Sequence, residues 1–259
     1  MAFTTDNLIV SPCSNPEMGL EEVLAAYSEI GYEKFEVFTG WAGSAFDIDA
    51  DPRDYLAKSR RYGMKFVSFH LPPVNDDVDV SLARSVRAAR FARAVGAEVV
   101  LFKATSRENY IRAAGEFLDA IDSLGLTAAL QNHAGTAIST PADFGEVIDG
   151  IADPRMKTLL EVGHFHTVGV SWREGYDLLA GRIALVHVKD QIGPQSVPFG
   201  TGEIDLPGLF EHMRSVEYAG DFVVEMEVAD KPNTLKYLAE AREYLIARCL
   251  DPAAGGADT

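Results

Sequence analysis

Short apolar runs alternate with stretches of helical periodicity from one end of the chain to the other. In the first half the runs read NLIVS (7–11), KFEVF (34–38), MKFVSFH (64–70) and EVVLFK (98–103), rich in the β-branched and aromatic residues that favour strands. A helix is expected behind each, the first from about 19 to 30. The second is DPRDYLAKSRRYG (51–63), where Asp51 suits a cap and Pro52 the first turn. In the third, Val80, Ala83, Val86, Ala89, Ala92 and Val95 recur at near-helical spacing and stop at Gly96. The fourth runs from about 109 to 124.

The second half repeats the scheme with TAALQNH (127–133), KTLLEVGH (157–164), RIALVHVKD (182–190) and DFVVEMEV (221–228). These strands are expected to end at His133, near Val162, at Lys189 and near Glu227. Thr140–Pro141 opens a helix that ends near Gly150, and Ser171 caps another running to about Leu179. A longer loop (191–204) leads to a helix near 207–216, and the last helix spans about 233–249. Eight strand–helix units in one chain of this length predict a single (β/α)₈ TIM barrel over residues 1–250. The tail DPAAGGADT (251–259) has no periodicity and is expected to be disordered. An open doubly wound sheet is the alternative, but SPCSNPEMG after the first strand carries no glycine-rich phosphate turn.

Composition narrows the function classes. With 259 residues, 47% of them apolar, the chain has the material for one barrel-sized domain. No apolar run approaches the roughly 18 residues of a membrane span, so no membrane role is expected. MAFTTDNLIV lacks the basic start and long apolar stretch of a secretion signal, and Cys13 and Cys249 read as reduced thiols. A cytoplasmic protein is therefore expected. The net charge of −16 repels phosphate backbones and argues against a nucleic-acid partner. The basic residues of SRRYGMK (59–65) and SLARSVRAARFAR (81–93) read as solvated helix faces. A homo-oligomer is compatible with the pattern, which carries no signal for one.

Each second-half run ends in a side chain able to bind a metal or move a proton: Gln131, Glu161, His187 and Glu225. In a parallel α/β protein such residues converge where the strands end. Strand alternation puts Ala129, Gln131 and His133 on one face, likewise Leu185, His187 and Lys189, and likewise Val223, Glu225 and Glu227. Buried carboxylates placed close together repel, and a divalent cation among them removes the difficulty. Oxygen ligands with one imidazole suit Mn²⁺, Mg²⁺, Co²⁺ or Zn²⁺. Plain structural readings stand beside these. His187 fits a hydrogen-bonded core histidine, and Glu227 a carboxylate paired with a nearby Lys or Arg. His133 and His164 fit rim residues bonded to backbone carbonyls. Lys189 and Lys103 fit either a grip on a substrate oxygen or neutralisation of carboxylates. Glu36 and His70 end their strands with both readings open, and Trp41 and Phe46 suit either loop packing or the cover of a sugar's apolar face.

Gln131-Asn132-His133, Glu161-Val162-Gly163-His164, His187-Val188-Lys189-Asp190 and the loop Pro198–Asp205 occur in the order and spacing of a known family. The chain resembles the sugar isomerase/epimerase barrels similar to xylose isomerase, a family that also holds ketose 3-epimerases, inosose dehydratases, hydroxypyruvate isomerases and endonuclease IV-type repair enzymes. The resemblance implies a divalent metal, Mn²⁺ first among the candidates, held by Gln131, Glu161, His187 and Glu225. It implies that Glu225, Glu161, His164 and Lys189 serve catalysis. A sugar or keto-sugar would be bound by His70, Lys103, His133, His164, Lys189, Glu227 and Trp41. Two residues depart from the family pattern: its first Glu is Gln131 here, and its Asp is Glu161. The reaction implied is isomerisation or epimerisation through a metal-stabilised enediolate, with β-elimination by a dehydratase or lyase as the alternative. A sugar-binding barrel without turnover is a third reading, kept open by the amide at Gln131.

Overall fold

The apolar runs pair side by side, all in parallel. In the computed structural model, which describes residues 2–251, the first seven are β1 (Leu8–Val10), β2 (Lys34–Val37), β3 (Lys65–His70), β4 (Val99–Leu101), β5 (Thr127–Gln131), β6 (Lys157–Glu161) and β7 (Ile183–Val188). A hairpin of β8 (Asp190–Ile192) and β9 (Gln195–Val197) precedes the last barrel strand, β10 (Asp221–Val224). The sheet closes when β10 pairs with both β7 and β1, matching His187 with Val223 and Val10 with Val224. The expected single (β/α)₈ barrel is therefore the observed fold.

Helices alternate with the strands. They are α1 (Leu20–Ile30), α2 (Pro52–Tyr62), α3 (Val78–Val95), α4 (Arg107–Ile121), α5 (Pro141–Ile151), α6 (Val162–Thr167), α7 (Trp172–Leu179), α8 (Leu206–Ser215) and α9 (Thr234–Arg248). Their starts are chemically marked: Asp51, Ser106, Thr140 and Ser171 each accept a backbone N–H in the first turn. None of the described helices is long and apolar enough to cross a membrane.

Two apolar layers result. The larger lies between strands and helices, and a separate inner plug consists of Ile9, Val67, Leu101, Ala129, Leu159, Leu185 and Val223. This plug decides where chemistry can occur. Side chains two positions apart on a strand share a face, so residues two steps beyond Ala129, Leu159, Leu185 and Val223 stack directly on the plug. Those residues are Gln131, Glu161, His187 and Glu225.

Several local expectations differ from the structure, beginning with β5, which stops at Gln131, two residues short of His133. Strand β6 stops at Glu161, because its carboxylate caps α6 at once by accepting the Gly163 N–H at 3.0 Å. The segment expected as loop, 191–204, contains the β8–β9 hairpin, turned through Gly193 at φ 53°. Its base is tied by the Asp190 carboxylate, which accepts N–H groups of Gly200, Gly202 and Ile204. The last barrel strand ends at Val224, three residues short of Glu227. Asp251, assigned by sequence to the tail, bonds Phe3 in both directions, at 2.8 and 2.9 Å. The remainder of that tail, 252–259, lies outside the described residues.

Candidate active site

At the carboxyl end of the barrel Glu161, His187 and Glu225 meet. His187 Nδ1 lies 3.0 Å from Glu161 Oε2 and 3.0 Å from Glu225 Oε1, and all three residues are buried. Strand register produces the first approach, since Glu161 and His187 are direct partners across β6 and β7. Helix capping then sorts the Glu161 oxygens: Oε1 holds the Gly163 N–H, and Oε2 is left facing the imidazole. Although they lie 3.0 Å apart, His187 Nδ1 and Glu161 Oε2 are not aligned for a hydrogen bond, and neither atom is hydrogen-bonded elsewhere.

The far side of the imidazole is anchored by Glu36, which the expected site set omitted. Glu36 is fully buried at the end of β2. It accepts the hydroxyls of Ser11 and Ser68, each at 2.9 Å, and lies 3.1 Å from Nε2 of both His187 and His70. Burial opposes ionisation of Glu36, but the two imidazoles override it and hold the carboxyl well below the usual range. Burial likewise opposes a charged His187, and Glu36 and Glu225 outweigh it, raising the imidazole well above its ordinary value. The signal for Glu36 was present as a carboxylate inside the apolar run KFEVF, but its partners come from three other strands.

Asn132 is a second omission. Its side chain donates to the Glu161 carbonyl at 3.0 Å and accepts the Glu161 N–H at 3.1 Å. This two-way clamp fixes the end of β6 against the end of β5.

Lys189 lies behind the carboxylates. Its Nζ is 2.6 Å from Glu225, 2.8 Å from Glu227 and 3.7 Å from Glu161. Burial lowers the affinity of this ammonium for its proton, yet the three carboxylates raise the pKa well above normal. Its aliphatic stem crosses Gly163 so closely that a Cβ there would fall 2.5 Å from both Cγ and Cδ. That close approach accounts for the glycine in Glu161-Val162-Gly163-His164.

Above this cluster is a cavity of about 110 Å³, bordered by His70, Lys103, Gln131, His133, His164, Glu225, Glu227 and Trp41, together with Cys13 and Phe38. Lys189 and His187 are not on its wall. The rings of His133 and His164 lie 3.8 Å apart, centroid to centroid. Burial lowers His164 to about 4 and, with help from Lys103, His70 also to about 4, so both are neutral at pH 7. Trp41 stands 66% exposed at the rim, in left-handed backbone at φ 53°. Phe46 instead packs in the loop core, stacked on Tyr55.

The donor set fits a divalent ion. The three ligand atoms of Glu161, His187 and Glu225 lie within 4.8 Å of one another. Two of them are unpartnered, and His187 is braced from behind by a carboxylate, as metal-binding imidazoles generally are.

The chain belongs to the xylose isomerase-like TIM barrel family, whose model matches residues 24–248. It is 26% identical over 146 residues to an inosose dehydratase of Geobacillus thermodenitrificans, across 48% of this chain and 49% of that protein. It is 29% identical over 106 residues to the putative L-ribulose-5-phosphate 3-epimerase SgbU of Escherichia coli, covering 38% and 37% of the two chains. The chain thus spans half or less of the length of these curated relatives. Among solved structures, the IolI protein with a bound zinc atom superposes with a TM-score of 0.75 at 14% identity, covering 94% of this chain and 98% of that one.

Proposed function

We propose that the protein is a divalent-metal-dependent enzyme that moves a proton next to the carbonyl of a sugar or keto-sugar. The observation that carries this reading is the meeting of His187 Nδ1 and Glu161 Oε2, both buried and unpartnered, with Glu225 Oε1. Two carboxylate oxygens and an imidazole nitrogen face one point, and a divalent ion can take the place of the proton that His187 otherwise holds there. Such an ion would polarise adjacent carbonyl and hydroxyl oxygens and so acidify the C–H between them. Glu161, His187 and Glu225 would hold it, with Gln131 as an oxygen ligand from the cavity wall. Mn²⁺ is our first candidate, and the zinc-bound neighbour in fold keeps Zn²⁺ beside it.

The chain's own residues then divide the work. Glu225 borders the cavity and is held ionised: burial opposes this, but Lys189 and His187 override it and keep its pKa well below normal. It is the candidate acceptor of the substrate proton. His164, neutral at pH 7, and His133 face the same space and can hold substrate hydroxyls, while Glu225 returns the proton it has taken. Return to the neighbouring carbon isomerises, return to the opposite face epimerises, and loss of a β-hydroxyl makes a dehydratase. Gln131 favours the first and third outcomes, because an amide accepts no proton at neutral pH.

Elemental analysis after dialysis tests the metal. Single alanine variants of Glu161, His187 and Glu225 should each lose it while remaining folded. Wild-type protein that holds no metal, with no thermal shift on adding Mn²⁺, Co²⁺ or Zn²⁺, would refute the reading and favour a binding barrel without turnover. Incubation of keto-sugars with enzyme and Mn²⁺ in D₂O should place deuterium on carbon.

A further inference from the structure

A second cavity of about 380 Å³ opens beside the first and shares Phe38, Trp41, His70 and Lys103 with it. Its wall adds Arg84 from α3 and contains no aspartate or glutamate. That composition is against the trend of a chain with 39 acidic and 23 basic residues. Basic neighbours on the same flank are paired: Arg87 with Asp49, and Lys58 and Arg61 with Glu21. Among the described residues Arg84 and Lys103 form no ion pair. The Lys103 ammonium lies over the Phe38 ring, 5.8 Å from its centroid.

We propose that this cavity seats an anionic group, a phosphate or a carboxylate, carried on the substrate away from its reacting carbons. The proposal rests on reading the adjoining cavity as the substrate pocket. Both groups present oxygens to Arg and Lys in charge-assisted hydrogen bonds. An anion there satisfies two cations at once, while the shared wall of Phe38, Trp41 and His70 lets a carbon chain run on to Glu225 and His164. Burial draws the Lys103 ammonium down to about 8 against the pull of Glu36 and Glu225, consistent with a cation that lacks a close counter-charge.

The test uses Trp41 as reporter. The chain has two tryptophans, so Trp172→Phe leaves the rim indole as the single emitter. Inorganic phosphate in one arm and lactate in the other are titrated at constant ionic strength. A saturable fluorescence change is expected in at least one arm. Arg84→Met and Lys103→Met should each raise half-saturation at least about tenfold, the loss of a charge-assisted hydrogen bond. Arg87→Met should leave it unchanged. Response to phosphate alone identifies a sugar phosphate as the source, and response to lactate alone a sugar acid. Absence of saturation in both arms, or unchanged half-saturation in both methionine variants, overturns the proposal. Arg84 is on the surface, so its variant reports even where Lys103→Met fails to fold. Repeating the titration in Glu161→Gln separates the two readings: an anion seat that survives without metal stands by itself.

Discussion

Glu36→Gln isolates what a buried charge contributes beneath the candidate metal site. The amide keeps the shape, and with its oxygen in the Oε1 position it can still accept from Ser68 and His187 while lying beside His70. Its NH₂ can donate to Ser11, whose hydroxyl turns to receive it. The charge is what disappears. Two contacts at 3.1 Å, to His187 and His70, change from charge-assisted to neutral. At about 1 kcal/mol or somewhat more for each, the expected loss of stability is about 2–4 kcal/mol. For a domain of this size that lowers Tm by about 5–12 °C. The same change leaves the His187 ring braced by a neutral amide in place of a carboxylate, so metal affinity should fall by about 10- to 100-fold. Urea unfolding gives the first quantity, and competition against a metal-responsive dye gives the second. A Glu36→Gln protein within about 0.5 kcal/mol of wild type, with unaltered metal affinity, would refute the idea that this carboxylate positions the imidazole.

Two other outcomes follow from the same geometry. Gly163→Ala puts a methyl where the Lys189 stem lies, so overpacking should cost about 1–3 kcal/mol. Unfolding within a few tenths of wild type would show that the stem has room to move. His70 and His164 have folded pKa values of about 4 against an ordinary 6.5, so their contribution is complete above 6.5 and is lost as pH falls towards 4. Stability of metal-free protein should therefore drop on acidification through that window, with a slope of up to about 1.4 kcal/mol per pH unit for each proton taken up. A flat profile from pH 7 to 5 contradicts the neutral burial of both imidazoles.

What sequence revealed and what it hid divide along the range of the interaction. Period-two alternation in TAALQNH, RIALVHVKD and DFVVEMEV is local, and it put Gln131, His187 and Glu225 on the plug-facing side of their strands. Closure of the barrel could be inferred from eight repeated units in a chain of this length, with no glycine-rich turn after the first strand to suggest an open sheet. Glu36 was harder. Its importance lies in Ser11, Ser68, His70 and His187, which are separated from it by 25 to 151 residues, and nothing in KFEVF announces them. Lys189 was legible as an inward side chain but not as one held behind three carboxylates, since that depends on the stem passing over Gly163. The six-residue α6 and the β8–β9 hairpin are too short for periodicity to register, and carboxylate contacts from Glu161 and Asp190 define them.

Gln131 bears on which reaction the site performs. A two-base epimerisation needs an acceptor on each face of the substrate. In the proposed reading Glu225 would supply one from the β10 side. On the β5 side the cavity wall offers Gln131, His133 and His164, and no carboxylate. The two histidine rings pack against each other at a tilt of 36°, and burial biases His164 towards its neutral form with a pKa of about 4. A base that weak retains little drive to remove a proton from carbon at pH 7. The geometry thus favours one-sided chemistry, isomerisation or β-elimination, over rapid C3 epimerisation. Gln131→Glu restores a carboxylate, so it should tighten metal binding and introduce a trace of epimerase activity. Washout of deuterium from ketoses labelled at C3 measures the second effect, and metal titration the first. Wild-type protein that epimerises ketoses rapidly at C3, with Gln131→Ala equally fast, would show that the second base lies elsewhere and that Glu225 is not acting alone.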